Sequence, residues 1–242
     1  MLNWYDMKFE DYPIHDTIKK SLHDMGFIRP TDIQYKAIPS ILKGEDVLAV
    51  AQTGTGKTAD IAIPVVHLLQ ERKKKRRPDG IQCIVMVPTH ELAIQINEVF
   101  QQISRHTGLE ILSVIGGVDQ DPQIAKLKEG VDVLIATPGR LFDLKSQGHL
   151  RVDRVDTLIL DEADHMLNLG FIGDIDALIR VLPRRRQTLF FSATIDKKIK
   201  QLVYSLVRNA IRIQISPKNP VAKNVNHNVA LIEMDHKRFF LE

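Results

Sequence analysis

Along this chain, short continuous apolar runs alternate with stretches in which apolar residues recur every three or four positions. The runs lie at Val47 to Val50, Ile81 to Val87, Leu112 to Ile115, Val131 to Ala136, Thr157 to Leu160, Leu189 to Phe191 and Ala210 to Ile215. They are too short for helices and show no polar alternation, so they predict strands buried on both faces. Between them, Ile14, Ile18, Leu22 and Met25 mark one helical face that Gly26 ends as a C-cap. Pro30 then forces an extended turn, and Thr31 or Asp32 caps a helix running to about Leu42. Further helices are predicted from Thr58 to about Arg72, along Leu92, Ile96, Val99 and Ile103, and along Ile199, Leu202, Val203 and Leu206. Strands alternating with amphipathic helices specify an α/β fold, a mainly parallel sheet with helices on both faces. In such sheets ligands gather where the strands end. Pro88-Thr89-His90-Glu91, Gly116-Gly117, Thr137-Pro138-Gly139-Arg140, Asp161-Glu162-Ala163-Asp164 and Ser192-Ala193-Thr194 each follow a strand, so one edge should carry a site assembled from distant parts of the chain.

Composition narrows this only a little. With 242 residues and 44% apolar content, a sizeable core is available. The formal charge of +3 is too small to announce a polyanion partner, so any basic surface must be local. The run Lys73-Lys74-Lys75-Arg76-Arg77 reads as a solvated turn or as a nucleic-acid contact. Cys83 is the single cysteine; it lies inside an apolar run, forms no internal disulfide and is expected in the core of a protein from a reducing compartment. No apolar run approaches the roughly 18 residues of a membrane span. The expectation is a soluble, cytoplasmic, monomeric protein without membrane contact.

The stretch with the most chemistry is Ala51-Gln52-Thr53-Gly54-Thr55-Gly56-Lys57-Thr58, between a predicted strand and a predicted helix. Alone it is either a Gly/Thr-rich turn or a phosphate cradle, and its flanks favour the cradle. Backbone N–H groups of such a turn, together with the positive end of the helix, point at phosphate oxygens. Lys57 would neutralise the outer phosphates and Thr58 would offer a hydroxyl to Mg²⁺. The first glycine of the usual pattern is Ala51 here. Behind a cradle, Asp161 sits where a carboxylate holds the metal, and Glu162 where a base orients the attacking water.

Taken together and in order, these motifs resemble the DEAD-box family of ATP-dependent RNA helicases, from Phe9 to about Ile215. The resemblance implies a RecA-like P-loop domain at 9–215, an N-terminal extension at 1–8, and a linker with the start of a second RecA-like domain at 216–242. It implies ATP and Mg²⁺ as ligands, with catalytic roles for Lys57, Thr58, Asp161, Glu162, Ser192 and Thr194. Gln52, Thr53, Gly54, Thr55 and Gly56 would wrap the phosphates. The stretch from Gly26 to Gln34 is similar to the family's adenine motif: Gln34 would hydrogen-bond the adenine edge, Phe27 would stack on the base, Arg29 lies between them, and Phe9 matches the upstream aromatic. Ser192 and Thr194 would hydrogen-bond the Asp-Glu-Ala-Asp carboxylates. Pro88, Thr89, Glu91, Gly117, Thr137 and Arg140 would hold RNA phosphates and sugars without reading bases.

Three positions depart from the family pattern. His90 stands where an arginine is usual, exchanging a permanent cation for an imidazole. Asp60 lies in the helix after the cradle, where an acid is costly if buried, and Asn168 replaces a common aspartate. Nothing after Ile215 contains the arginine-rich tetrad of the family's other half. The expectation is therefore an ATP-dependent RNA helicase represented by its N-terminal half, binding nucleotide but hydrolysing it slowly alone. A non-unwinding ATP-dependent RNA clamp and a DNA helicase on the same sheet are the alternatives.

Overall fold

The computed structural model describes residues 7–51, 57–75, 80–195, 197–206 and 210–214. The expected linker, the strand-like run from Asn226 to Asp235 and residues 52–56 lie outside the described residues. Within them, seven strands form one sheet: β1 (Val47–Val50), β2 (Cys83–Met86), β3 (Ile111–Val114), β4 (Val133–Ala136), β5 (Thr157–Leu160), β6 (Gln187–Ser192) and β7 (Ile211–Gln214). Their order is β3-β4-β2-β5-β6-β1-β7, and every recorded pair is parallel. All strand ends therefore emerge at one edge, the front, and all strand starts at the other, the rear.

Side chains of successive strand residues point to opposite faces, and the core divides accordingly. Ala49, Val85, Ile135, Ile159 and Phe191 pack in one layer with residues of α1 (Asp16–Asp24), α2 (Asp32–Leu42), α3 (Lys57–Lys75) and α4 (His90–Ser104). Ile84, Met86, Leu134, Leu158, Leu160 and Phe190 pack in the other with α6 (Pro138–Ser146), α7 (Ala163–Asn168), α8 (Ile172–Val181) and α9 (Lys197–Leu206), and α5 (Asp121–Glu129) leans on the same layer through Ile124 and Leu127. Cys83 is fully buried. Asp60 is fully buried too, inside α3.

Strands β2, β4, β5 and β6 are buried throughout. The edge strands differ from the expected two-sided burial: β7 keeps only Ile213 inside and β3 only Val114. Helices α5 and α8 are additions to the sequence reading. Prolines at 39 and 64 lie inside α2 and α3 without ending them.

Candidate functional site at the front edge

Phe27 is set by a local device. Helix α1 closes in a Schellman turn, in which Gly26 (φ +73°) donates to the His23 carbonyl at 2.9 Å and Phe27 N–H reaches the Leu22 carbonyl at 2.8 Å. The ring emerges 38% exposed. The Phe9 N–H donates to the Ile28 carbonyl at 3.1 Å and ties down the next residue, while the Phe9 ring is 3% exposed and packed in the core. Phe9 is thus a prop beneath this turn, and its ring has little surface left for a ligand. Arg29 is exposed. Thr31 caps α2: its N–H donates to Gln34 Oε1 at 2.9 Å, and its hydroxyl faces the Gln34 N–H at 3.5 Å. This capping box fixes the plane of the Gln34 amide, which is 4% exposed.

Next along the edge is the end of β1. Ala51 N–H donates to the Ser192 carbonyl at 3.1 Å, extending the β1–β6 pairing past the strand. The predicted contacts Gln52, Thr53, Gly54, Thr55 and Gly56 lie outside the described residues. Helix α3 begins at Lys57, and Thr58 in its first turn is half-buried. The positive end of this helix therefore faces the front edge.

Two strands away, separated by β6, β5 leads directly into Asp161. Its N–H donates to the Met86 carbonyl at 3.1 Å and the residue is only 3% exposed. Glu162 follows at φ 51°, ψ 47°, the only positive-φ residue other than glycine among the described residues. Its N–H turns back to Asp161 Oδ1 at 2.9 Å, and its Oε2 lies 3.5 Å from His165 Nδ1. The reversal turns the chain sharply from β5 into α7. It also sets two carboxylates on consecutive residues in different environments, one nearly buried and one half-buried.

Asp164 receives two hydrogen bonds from Thr194, from N–H at 3.0 Å and from Oγ1 at 2.9 Å. Burial works to raise the pKa of this carboxyl, but the hydrogen bonds from Thr194 and from the Ala193 backbone, with the Ser192 hydroxyl close by, outweigh it and hold the pKa below the usual carboxylate range. The predicted pairing of Ser192 and Thr194 with the acidic tetrad thus takes an unequal form. Thr194 bonds Asp164 directly, whereas the Ser192 hydroxyl donates to the Thr194 carbonyl at 2.8 Å and braces the turn.

The remaining predicted residues follow β2, β4 and β3, the other half of the same edge. Pro88 is buried, and Thr89 caps α4 by accepting from Leu92 N–H at 3.3 Å. Glu91 is exposed in the first turn of that helix. A Cβ on Gly116 would lie 3.5 Å from His90 Nε2, and one on Gly117 (φ +71°) would lie 3.6 Å from His90 Cε1. The imidazole therefore covers the glycine pair. Thr137 is 6% exposed at the start of α6. Arg140, in the first turn of α6, donates through Nη2 to the Val118 carbonyl at 2.8 Å. A neutral carbonyl, rather than an anion, holds this cation against the unfavourable helix dipole. Sequence reasoning missed the left-handed Glu162 and the His90–glycine contact, since neither leaves a compositional mark.

The front edge thus has two adjoining halves. One, on β1, β6 and β5, carries a helix N-terminus, a hydroxyl and paired carboxylates, groups suited to a metal-bound polyphosphate. The other, on β2, β4 and β3, carries two helix N-termini, small residues and an arginine, groups suited to a phosphodiester backbone.

The chain is similar to several known proteins. A family model described as DEAD/DEAH box helicase matches residues 31–202. The ATP-dependent RNA helicase CshA of Listeria monocytogenes is 39% identical over 215 residues, 89% of this chain and 40% of that protein. The DEAD-box ATP-dependent RNA helicase RhpA of Helicobacter pylori is 37% identical over 240 residues, 97% of this chain and 46% of that protein. Among solved structures, a DEAD box protein from Methanococcus jannaschii superposes with a TM-score of 0.80 at 36% identity, covering 86% of this chain and 56% of that one. An ATP-dependent RNA helicase described as hypothetical, from Sulfolobus tokodaii, gives 0.76 at 34% identity, covering 84% and 57%. The chain spans less than half the length of both curated relatives. Among the described residues, no helix is long and apolar enough to cross a membrane.

Proposed function

The chain belongs to the DEAD/DEAH box helicase family, and from that premise we propose that it is the ATP-binding half of an ATPase that remodels RNA. The observation that carries this reading is the placement of Asp161 and the left-handed Glu162 at the same sheet edge as the start of α3. In this reading Lys57 and the backbone of Gln52, Thr53, Gly54, Thr55 and Gly56 neutralise and cradle the phosphates of ATP. Thr58 and Asp161 are hard oxygen donors of the kind Mg²⁺ takes alongside phosphate and water, so the donor set fits that ion. When bound, the ion neutralises charge on the transferring phosphoryl group. Glu162 orients or deprotonates the attacking water. Gln34 presents an amide held in plane by its cap, and Phe27 an exposed ring, so together they select adenine over guanine, with Arg29 alongside.

Thr194 on Asp164 links the nucleotide half to the β6 turn, with Ser192 bracing it. Pro88, Thr89, Glu91, Gly117, Thr137 and Arg140 form the RNA contact, which grips phosphates and sugars in a sequence-tolerant and salt-dependent way. Residues 9–215 constitute one RecA-like unit, and 216–242 lead into a second that supplies further contacts to the phosphates and to RNA. The share of the relatives left uncovered supports this. The 242-residue chain should therefore bind adenine nucleotide yet turn it over slowly.

A titration of ATP against GTP tests the assignment. Lys57→Ala should lose both nucleotides, and Gln34→Ala should lose the preference for ATP. A Gln34→Ala variant that still prefers ATP, or robust RNA-stimulated turnover by these 242 residues alone, would refute the corresponding part. Competition between RNA and DNA oligonucleotides of one sequence reports whether the 2′-hydroxyl is recognised.

A further inference from the structure

The rear edge of the sheet has no part in the reading above, yet a cluster of arginines lies there. Three loops meet at the starts of the adjacent strands β2, β5 and β6. Their backbones are stitched at a single residue: Asp156 N–H donates to the Gln82 carbonyl at 2.9 Å, and its own carbonyl accepts from Gln187 N–H at 2.8 Å. The loop before β5 carries Arg151 and Arg154, both exposed and both leaning on the exposed Asp153, at 3.4 and 3.8 Å. The loop before β6 carries Arg184 and Arg185, exposed and with no recorded partner among the described residues, beside Arg186, whose Nη1 donates to the Pro183 carbonyl at 2.8 Å. Arg154 reaches the loop before β2, its Cγ 3.8 Å from where a Cβ on Gly80 would lie. Helix α3, starting at the front, brings Lys73 to this edge, where it is held by Asp132 and the Gly108 carbonyl, each at 2.8 Å. The cleft of about 520 Å³ beside Arg151 and Arg154 is of mixed charge, since Glu110, Glu129, Asp132 and Asp153 line it with Lys73 and Lys128, so the exposed guanidinium groups, rather than the cleft, present the positive charge.

One carboxylate, Asp153, serves both Arg151 and Arg154, and Arg184 and Arg185 have none recorded among the described residues, so the cluster keeps uncompensated positive charge that an anion would relieve; exposed arginines are shaped for bidentate contact with phosphate. We propose that this rear edge is a second phosphate-backbone contact, engaging RNA that runs on from the front edge, with Arg151, Arg154, Arg184 and Arg185 as its contacts. The inference rests on the proposed RNA contact at the front. The 19 residues of α3 span the two edges, about 28 Å at about 1.5 Å per residue. At about 3.4 Å per stacked nucleotide, roughly eight nucleotides separate the two contacts. An oligonucleotide of about 6 nucleotides cannot bridge them, whereas one of about 30 can.

The test measures binding of the 242-residue chain to both lengths of single-stranded RNA across a salt series. Changing all four arginines to Ala should make the log–log salt slope for the longer RNA shallower by about 3, at about 0.7 per single-strand phosphate contact, and leave the shorter RNA within about twofold. The matching Arg→Lys variant should keep most of the slope, and an unchanged melting temperature shows that the exposed substitutions leave the fold intact. An unchanged slope, equal weakening of both lengths, or loss of poly-glutamate binding with RNA binding retained would each overturn the inference, the last in favour of an acidic protein partner. Arg140→Ala separates the two readings. If the shorter RNA ignores Arg140→Ala while the longer one responds to the rear arginines, the front contact fails and the rear one stands.

Discussion

At position 162 glycine should be more stable than alanine, reversing the usual order. Glu162 has φ 51° and ψ 47°, a region that costs a residue with a Cβ roughly 1–2 kcal/mol and glycine almost nothing. Against this, glycine gives the unfolded chain more freedom, a penalty of about 0.4–1 kcal/mol relative to alanine. At the middle of these ranges Glu162→Gly stays ahead of Glu162→Ala by about 0.8 kcal/mol. Both variants remove the same carboxylate and its contact with His165, and both keep the N–H bond to Asp161, so those effects cancel in the comparison. For a chain of this size the gap corresponds to about 1–4 °C in melting temperature, within reach of urea titrations analysed at a common slope. Asp164, inside α7, supplies the control: there alanine should beat glycine by about 1 kcal/mol. If alanine equals or exceeds glycine at both positions, the left-handed geometry is not what shapes this turn. If Glu162 acts on water as proposed, neither variant should hydrolyse ATP, so the variant that relieves the backbone strain would be one that lacks the proposed catalytic group, as expected where strain is kept for function.

The acid limb of stability should depend on Asp164. Its pKa is lowered in the folded state, so its contribution is present above the ordinary carboxylate value of about 3.9 and is lost as pH falls through the lowered one. The stability difference between wild type and Asp164→Asn should hold steady above about pH 5 and shrink below about pH 4, and a difference that grows in acid would refute the sign. Tyr12 buries its hydroxyl without a hydrogen-bond partner among the described residues, and burial, then the proximity of Tyr35, push its pKa up to about 12. Tyr12→Phe should gain about 1 kcal/mol at pH 7. The wild type alone should lose further stability as pH rises through about 10, where the unfolded tyrosine ionises; urea melts at the two pH values check both. His90→Arg should tighten RNA binding and steepen its salt slope by about 0.7, provided the larger side chain clears Gly116 and Gly117. An unchanged slope would mean that position 90 lies off the RNA path.

How much of this was readable beforehand follows from what each feature depends on. Strands β2, β4, β5 and β6 announce themselves because burial on both faces forces unbroken apolar runs, as at Val85 and Ile159. Parallel order then puts every following polar tetrad at one edge. Helix α5 escapes because only Ile124 and Leu127 touch the core, too few to show a period. Helix α8 escapes because Ile172 and Val181 are exposed while Ile175 and Leu178 are buried, which blurs its apolar face. The conformation of Glu162 is set by the need to swing from β5 into α7, a tertiary demand with no compositional trace. The roles of Phe9 and Ser192 needed coordinates for the same reason: whether an aromatic ring or a hydroxyl meets a ligand or props a neighbour depends on which way the backbone leaves it facing.

The strand order has a consequence for biosynthesis. Strands β2, β3 and β4 find all their sheet partners within β2 to β5, and β5 finds one there, but β1 lies between β6 and β7 alone, and the bond from Thr188 N–H to Asp46 closes 142 residues of sequence. At roughly 5–20 residues per second on the ribosome, Val47-Leu48-Ala49-Val50 waits on the order of ten seconds or more for a partner. During that time it is an apolar segment with unpaired backbone, the kind that sticks to other chains. The half of the edge that follows β2, β3 and β4 can assemble while the protein is still being made; the half that would bind nucleotide cannot exist until Ser192 has emerged.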